Sequence, residues 1–138
     1  MEIRSLSQGD ERILDAVAAD VFDYELNRDL ISEFLANPCH HLVVAIENST
    51  VIGFVSALHY VHPDKDPQMW INEIGVSPRH QRAGVGSSLI HKLQEIARTE
   101  GCTEMWVLTD RSNPRAMKFY QSLNGKPEDQ VMFSFSID

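Results

Sequence analysis

Between Trp70 and Ala97 the sequence passes from a strand-like run through a glycine-punctuated turn into an amphipathic helix, and this junction restricts the chain to few folds. Trp70-Ile-Asn-Glu-Ile-Gly-Val76 stops at Ser77-Pro78. Gln81-Arg-Ala-Gly-Val-Gly86 then opens a helix whose apolar stripe is Val85, Leu89, Leu93, Ile96 and Ala97. A helix N-terminus presents unpaired N–H groups and the positive end of the helix dipole. Glycines at 84 and 86 remove β-carbons that would hold an anion away from those donors. The segment therefore reads as a pyrophosphate cradle. It lacks the Gly-Lys-Ser/Thr ending of a P-loop and the G-x-G-x-x-G spacing of a dinucleotide fingerprint. On the glycines alone, a plain turn opening a helix explains the pattern equally well.

The rest of the chain supplies a sheet around this junction. A short strand at Glu2-Ile-Arg4 leads into a helical pattern, capped from Ser7, in which Ile13, Leu14, Val17, Ala18, Val21 and Phe22 recur. A second helix is expected over Arg28–Ala36, stopped by Asn37-Pro38. His41–Ile46 and Val51–Leu58 are rich in β-branched residues and flank the turn Glu47-Asn-Ser-Thr50, a predicted hairpin. Met105–Leu108 reads as a buried strand, Asn113–Leu123 as a helix with Pro114 in its first turn, and Gln130–Ile137 as a closing strand. The predicted order is β-α-α-β-β-β-α-β-α-β, an α/β sandwich with a mixed sheet. With no linker between elements, residues 1–138 are expected to form one domain.

Charge excludes some functions. The 138 residues carry 12 Lys+Arg and 20 Asp+Glu, for a formal net charge of -8. Nucleic acid and anionic membrane both call for a basic footprint, so neither is an expected partner. Residues 1–69 hold 12 acids and 4 bases, whereas residues 70–138 hold 8 of each. The N-terminus lacks a signal peptide's apolar run and no stretch has the length of a membrane span, which points to the cytoplasm. Cys39 and Cys102 stand apart without metal or redox spacing and are expected as buried free thiols. His80 is placed in a loop and His91 on a polar helix face, so no metal site is read from the six histidines.

Two blocks carry a family resemblance. Gln81-x-x-Gly84-x-Gly86, after the Val76-Ser-Pro78 strand end, is similar to the acetyl-CoA-binding motif of the GNAT N-acetyltransferase superfamily. Asn113-Pro-Arg-Ala-Met-Lys-Phe-Tyr120 resembles that family's N-x-x-A-x-x-F-Y helix. A glycine usually follows the tyrosine by four residues. Asn124 stands there instead, with Gly125 next, and Asn is the next-best residue for a left-handed C-cap. The resemblance implies the GNAT fold, a mixed and mostly antiparallel central sheet flanked by helices. It also implies acetyl-CoA as co-substrate.

The resemblance further assigns roles. Backbone N–H groups of Gln81, Arg82, Ala83, Gly84, Val85, Gly86 and Ser87 would bind the pyrophosphate, with the Arg82 side chain near the 3′-phosphate end. The backbone of Ile74, Gly75 and Val76 would pair with the pantetheine arm where this strand splays from the next. Asn113 would contact the arm, and Tyr120 would protonate the departing thiolate. The chemistry agrees with the last role, because a phenol with a pKa of about 10 can supply that proton. The attacking amine must be neutral, and a carboxylate can take its proton directly or through water. Glu73 is the candidate base, on a strand read as placing Trp70, Asn72, Ile74 and Val76 on one face and Ile71, Glu73 and Gly75 on the other. Asp110 could assist or bind the substrate cation. Each residue also has a plain structural reading: Tyr120 as a core aromatic, Glu73 and Asp110 as surface carboxylates.

Tyr60-Val-His-Pro63, Val51-Ile-Gly53, the segment through Val76 and Glu128-Asp-Gln-Val-Met-Phe133 look like the small aminoglycoside 3-N-acetyltransferases. That likeness implies a small cationic acceptor. The acidic stretch Asp10–Glu33, with Asp23 and Glu25, would border the acceptor site and attract a polycation. Acidic surface that only aids solubility is the alternative reading. Acetylation of another small amine or a protein amine, and a non-catalytic acyl-CoA-binding module, both remain open. Dimers are frequent among such relatives, and the C-terminal strand is the segment through which this chain could form a homodimer.

Overall fold

The β-branched runs of residues 40–60 fold into a hairpin. In the computed structural model, which describes all residues from Met1 to Asp138, β2 (His40–Glu47) and β3 (Thr50–Tyr60) pair antiparallel around Asn48 and Ser49. Both turn residues take positive φ, 51° and 61°, giving the backbone twist that a tight hairpin requires. β1 (Glu2–Leu6) joins β2, and β4 (Gln68–Val76) joins β3, both antiparallel. β5 (Glu104–Val107) runs parallel to β4 and completes the sheet in the order β1-β2-β3-β4-β5. This is the mixed, mostly antiparallel α/β sheet expected from the sequence.

Contacts divide the chain into two units, Met1–Leu108 and Thr109–Asp138. The first holds the whole sheet. Its two faces are told apart by the β3 glycine and phenylalanine. A β-carbon on Gly53 would meet Val85 Cγ1 at 3.1 Å and Leu89 Cδ1 at 3.4 Å, so this face lies against α2 (Val85–Thr99). The apolar stripe of α2, including Val85, Leu89, Leu93 and Ala97, is buried there, and Gly101 (φ 78°) follows the helix end. On the other face Phe54 stacks on Phe22 with centroids 3.9 Å apart, and α1 (Arg28–Ala36) adds Leu35 to a cluster with Leu14, Val21, Leu42 and Val44. Asn27 caps α1 by accepting the Leu30 N–H at 3.0 Å. The second unit contains α3 (Pro114–Ser122), capped by Asn113, whose Oδ1 accepts the Ala116 N–H at 3.1 Å. Asn124 adopts φ 67°, the left-handed turn expected at that position.

Four expectations are corrected. The first predicted helix is only a 3-10 turn over Glu11–Asp15. Asp10 accepts the Ser7 N–H at 2.9 Å in place of capping by Ser7, and beyond the turn Ala18 N donates to Val51 O while Val51 N donates to Ala16 O. Pairing with β3 thus replaces helical bonds, although Leu14 and Val21 remain buried as their spacing indicates. The closing strand over Gln130–Ile137 does not form. Its own unit offers no second strand, and a strand without a neighbour has no ladder. Cys39 and Cys102 are half-buried rather than buried. The fourth correction concerns β4. A register shift opposite Ser56/Ala57 pairs Glu73 with Ser56 but Ile71 with Ala57, so Asn72 is an extra residue in the ladder. Ile71 and Glu73 therefore face opposite sides of the sheet, contrary to simple alternation.

Candidate active site

The bulge decides where Glu73 points. Paired with Ser56, the Glu73 side chain joins the face that carries Phe54, Phe22 and α1. There it lines a cavity of about 270 Å³ together with Asp23, Glu25, Tyr24, Phe22 and Phe34. Asp23 and Glu25 come from the acidic segment before α1, so three of the expected acceptor-side carboxylates meet in one cavity of the first unit. Burial raises the Glu73 carboxyl above the usual carboxylate range, and the nearby negative charge of Asp23 raises it further. A carboxylate shifted this way is a stronger base. The aromatic and aliphatic lining from Phe22, Tyr24, Leu30 and Phe34 was not read from the sequence as part of a site. The helical spacing of Leu30, Ile31, Phe34 and Leu35 was the available signal. A larger cavity of about 630 Å³, between the β2–β3 turn and Ser77–His80, contains none of the expected site residues.

The residues expected to hold the cofactor follow on β4. β5 pairs with β4 only from Gln68 to Ile71, so residues 72–76 have no strand on that edge. The backbone of Ile74, Gly75 and Val76 is therefore open to an extended ligand, as a splayed strand would be. Gly75 is glycine for a packing reason. A β-carbon there would lie 2.3 Å from Val21 O and 2.8 Å from Phe54 Cε1. After β4, Ser77 is buried and donates its N–H to Ile52 O at 2.8 Å, fixing where the strand ends. Gln81 Nε2 donates to Val76 O at 3.1 Å and ties the start of the turn to that end.

The turn has the features an anion site needs. Arg82 takes φ 65° and Gly84 φ 81°, and Gly84 is the residue before the first turn of α2. No side chain caps this helix, so the N–H groups at Val85, Gly86 and Ser87 face outward without a side-chain acceptor. A β-carbon on Gly84 would meet no atom within 4 Å, which leaves the approach open. Arg82 and Ala83 are exposed on the same turn. These residues fit a pyrophosphate bound by backbone donors at the positive end of α2.

The second unit holds the remaining candidates. Tyr120 lies on α3, half-buried, with its ring edge-on to Phe119 at 5.1 Å, and burial raises its phenol. The hydroxyl is thus held in its protonated form. Gly125 N donates to Tyr120 O at 3.0 Å, and a β-carbon on Gly125 would sit 2.8 Å from that oxygen. The helix end at this point therefore needs glycine. Asn113 commits its Oδ1 to the helix cap, leaving its amide N–H groups for a ligand. Asp110 is exposed, and its Oδ1 accepts from Ser112 Oγ at 2.7 Å and Ser112 N at 2.9 Å, which lowers its carboxyl. Those bonds give Asp110 a turn-forming role.

The sequence matches the acetyltransferase (GNAT) family from residue 4 to residue 125. The chain belongs to the GNAT acetyltransferase family. Curated members similar to it include the L-2,4-diaminobutyric acid acetyltransferase of Marinococcus halophilus, 29% identical over 76% of this chain and 58% of that protein. The thialysine N-epsilon-acetyltransferase of Bos taurus is 27% identical over 90% of this chain and 83% of its own length. The chain thus spans less than two thirds of the first of these relatives.

Solved structures share the GNAT fold. An aminoglycoside acetyltransferase, meta-AAC0020 from an uncultured soil metagenomic sample, solved with sisomicin, superposes with a TM-score of 0.82 at 18% identity, covering 99% of this chain and 96% of that one. AAC(6')-Iy, solved with a bisubstrate analogue of CoA and acetylneamine, gives a TM-score of 0.81 at 22% identity, with 99% and 98% covered. At these identities the likeness is one of fold. No helix of the chain is long and apolar enough to cross a membrane.

Proposed function

We propose that this GNAT protein moves the acetyl group of acetyl-CoA to a primary amine of a small cationic acceptor, with an aminoglycoside as the acceptor class and its 3-N position as the site. The observation that carries the reading is the cavity shared by Glu73, Asp23 and Glu25 beside the open edge of β4. The carboxylates attract a cationic acceptor, and the reacting ammonium gives up a proton to Glu73, directly or through one water. The nitrogen lone pair then attacks the thioester carbonyl, the carbon–nitrogen bond forms as the carbon–sulfur bond breaks, Tyr120 donates its hydroxyl proton to the sulfur, and the second proton lost by the acylated nitrogen passes through water to the Tyr120 phenolate. Backbone donors from Gln81 to Ser87 hold the pyrophosphate, Arg82 stands near the 3′-phosphate, and Asn113 contacts the pantetheine arm. Asp110 contributes by ordering its turn.

The relatives make a second reading specific. Diaminobutyric acid and thialysine, named for two relatives, are small amino acids bearing a side-chain amine. The apolar wall of Phe22, Leu30 and Phe34 suits such a short aliphatic amine as well as a sugar ring. Incubation with acetyl-CoA and an equimolar mixture of aminoglycosides, diamino acids, polyamines and lysine peptides, followed by mass spectrometry, separates the readings. A single acetyl group on an aminoglycoside, located at N3 by fragmentation, supports the first. Acetylation at 6′, the position in the name of AAC(6')-Iy, corrects the regiochemistry alone. Acetylation confined to diamino acids or peptides overturns the aminoglycoside assignment.

A further inference from the structure

Beyond Glu73 the same face of the sheet carries a row of aromatic rings that the transfer step does not use. On β3 the positions Phe54, Ser56, Leu58 and Tyr60 share the side away from α2. Trp70 on β4 pairs with Leu58, and Trp106 on β5 pairs with Trp70, so both side chains stand on that side too. Trp70 and Trp106 stack with centroids 5.3 Å apart and planes 13° from parallel, and Tyr60 stacks on Trp70 at 6.3 Å and 12°. Near-parallel rings in contact at about 3.5–4 Å, with centroids this far apart, are displaced sideways and leave part of each face uncovered. The other side of these strands is buried at Ala57, Met69 and Ile71, whereas Tyr60, Trp70 and Trp106 are half-exposed. α1 packs against β2, two strands away from Trp70.

Cross-strand aromatic pairs stabilise a sheet by themselves. The charges at both ends make these three rings more than that. Ser56, the partner of Glu73, precedes Leu58 by one same-side step of about 7 Å, so the rings begin beside the carboxylates of the acceptor cavity. At the far end Tyr60 pairs with Gln68 and Gln68 with Glu104, which puts the exposed Glu104 on the same side, two residues before Trp106. We infer that Tyr60, Trp70 and Trp106 form a ledge for the remote part of the acceptor, and that the acceptor is an elongated, ring-bearing polyamine with one amine at Glu73 and another reaching toward Glu104. The inference rests on the transfer reading of the Glu73 cavity. Cations and the polarised C–H groups of a saturated ring are both drawn to the negative face of an aromatic ring. The levels of Ser56 and Tyr60 are about 13 Å apart along β3, a span that a multi-ring amino sugar covers and a short diamino acid does not.

Trp70 and Trp106 are the two tryptophans of the chain, so intrinsic fluorescence reports on the ledge whether or not acetyl transfer occurs. Tobramycin, a three-ring aminoglycoside, and 1,3-diaminopropane serve as the long and short probes. Tobramycin should change the emission of the wild-type protein saturably, and 1,3-diaminopropane should leave it unchanged. Trp106→Leu keeps an apolar side chain in β5. It should raise KM for tobramycin about 3- to 10-fold, the weight of one cation–π contact, with kcat and the KM for 1,3-diaminopropane little changed. Glu104→Gln should likewise raise the tobramycin KM alone. Emission unchanged by tobramycin overturns the ledge, and acetylation of tobramycin in the same sample leaves the transfer reading standing. A saturable tobramycin signal without thiol release from any amine supports the ledge as a binding surface and overturns the transfer reading. Equal emission changes with both probes, or a Trp106→Leu effect shared by the short diamine, overturn the ledge. If Trp106→Leu does not fold, the wild-type fluorescence still decides.

Discussion

Asp23 lines the same cavity as Glu73, and its negative charge raises the Glu73 carboxyl, second only to the effect of burial. The pair joins the acidic segment before α1 to the bulged end of β4. It also ties the charge of one residue to the proton affinity of another, which makes it visible in kinetics.

With Glu73 as base, kcat/KM for the amine should rise with pH along a limb set by a carboxyl above the ordinary carboxylate range. Asp23→Asn removes the like charge, so Glu73 loses its proton more easily and the limb should move to lower pH. Glu73→Gln should lower kcat by about 10²–10⁴-fold, the usual contribution of a positioned base. A limb that does not move in Asp23→Asn would dissociate the two residues.

Much of the local structure around the candidate site was legible from spacing. The turn Gln81–Gly86, α1 over Arg28–Ala36, the β2–β3 hairpin and the left-handed Asn124 all follow from local rules, and the structure has them. The failures are non-local. The apolar residues at 13–22 carry helical periodicity, but backbone pairing of Ala16 and Ala18 with Val51 prevailed. The bulge at Asn72 depends on the register against β3, which period-2 reasoning within β4 cannot see. The strand pattern of 130–137 is real in the sequence, yet a strand exists only where an edge receives it.

With Tyr120 as the proposed acid, Tyr120→Phe removes the proton for the departing thiolate while keeping the ring that packs against Phe119. Rapid-mixing or steady-state assays should show kcat reduced by about 10–10³-fold with little change in acetyl-CoA binding. An unchanged kcat would remove Tyr120 as the acid.

At Gly84 a side chain meets no protein atom but must adopt φ 81°, and on the proposed reading it would project where the pyrophosphate approaches. Gly84→Val should cost about 1–3 kcal/mol in backbone strain and weaken CoA binding by at least an order of magnitude. Calorimetric titration with CoA checks the second effect and thermal melting the first. Undiminished affinity would place the pyrophosphate elsewhere.

His41 Nε2 and His59 Nδ1 lie 2.7 Å apart in the sheet, both buried, and His59 Nε2 is 3.7 Å from Glu100 Oε2 beyond α2. Burial first, then the neighbouring His59, lowers the His41 pKa. The unfolded chain therefore binds a proton more readily than the folded one below the ordinary histidine pKa of about 6.5. The stability linked to His41 is complete above that pH and is lost as pH falls toward its depressed folded value. The drop in Tm between pH 7.5 and pH 5 should be smaller in His41→Asn than in wild type. An equal drop in both would show that this pair does not set the acid sensitivity.

Steady-state release of free CoA thiol follows the proposed amine-dependent transfer from acetyl-CoA through the Glu73 cavity. With acetyl-CoA and a panel of aminoglycosides and small diamines, thiol release should depend on the amine, saturate, and fall by at least about 10²-fold in Glu73→Gln. CoA binding should be unchanged in that variant. Tight CoA binding with no amine-dependent thiol release from any member of the panel would rule out transfer through this cavity and leave the chain a non-catalytic acyl-CoA-binding module.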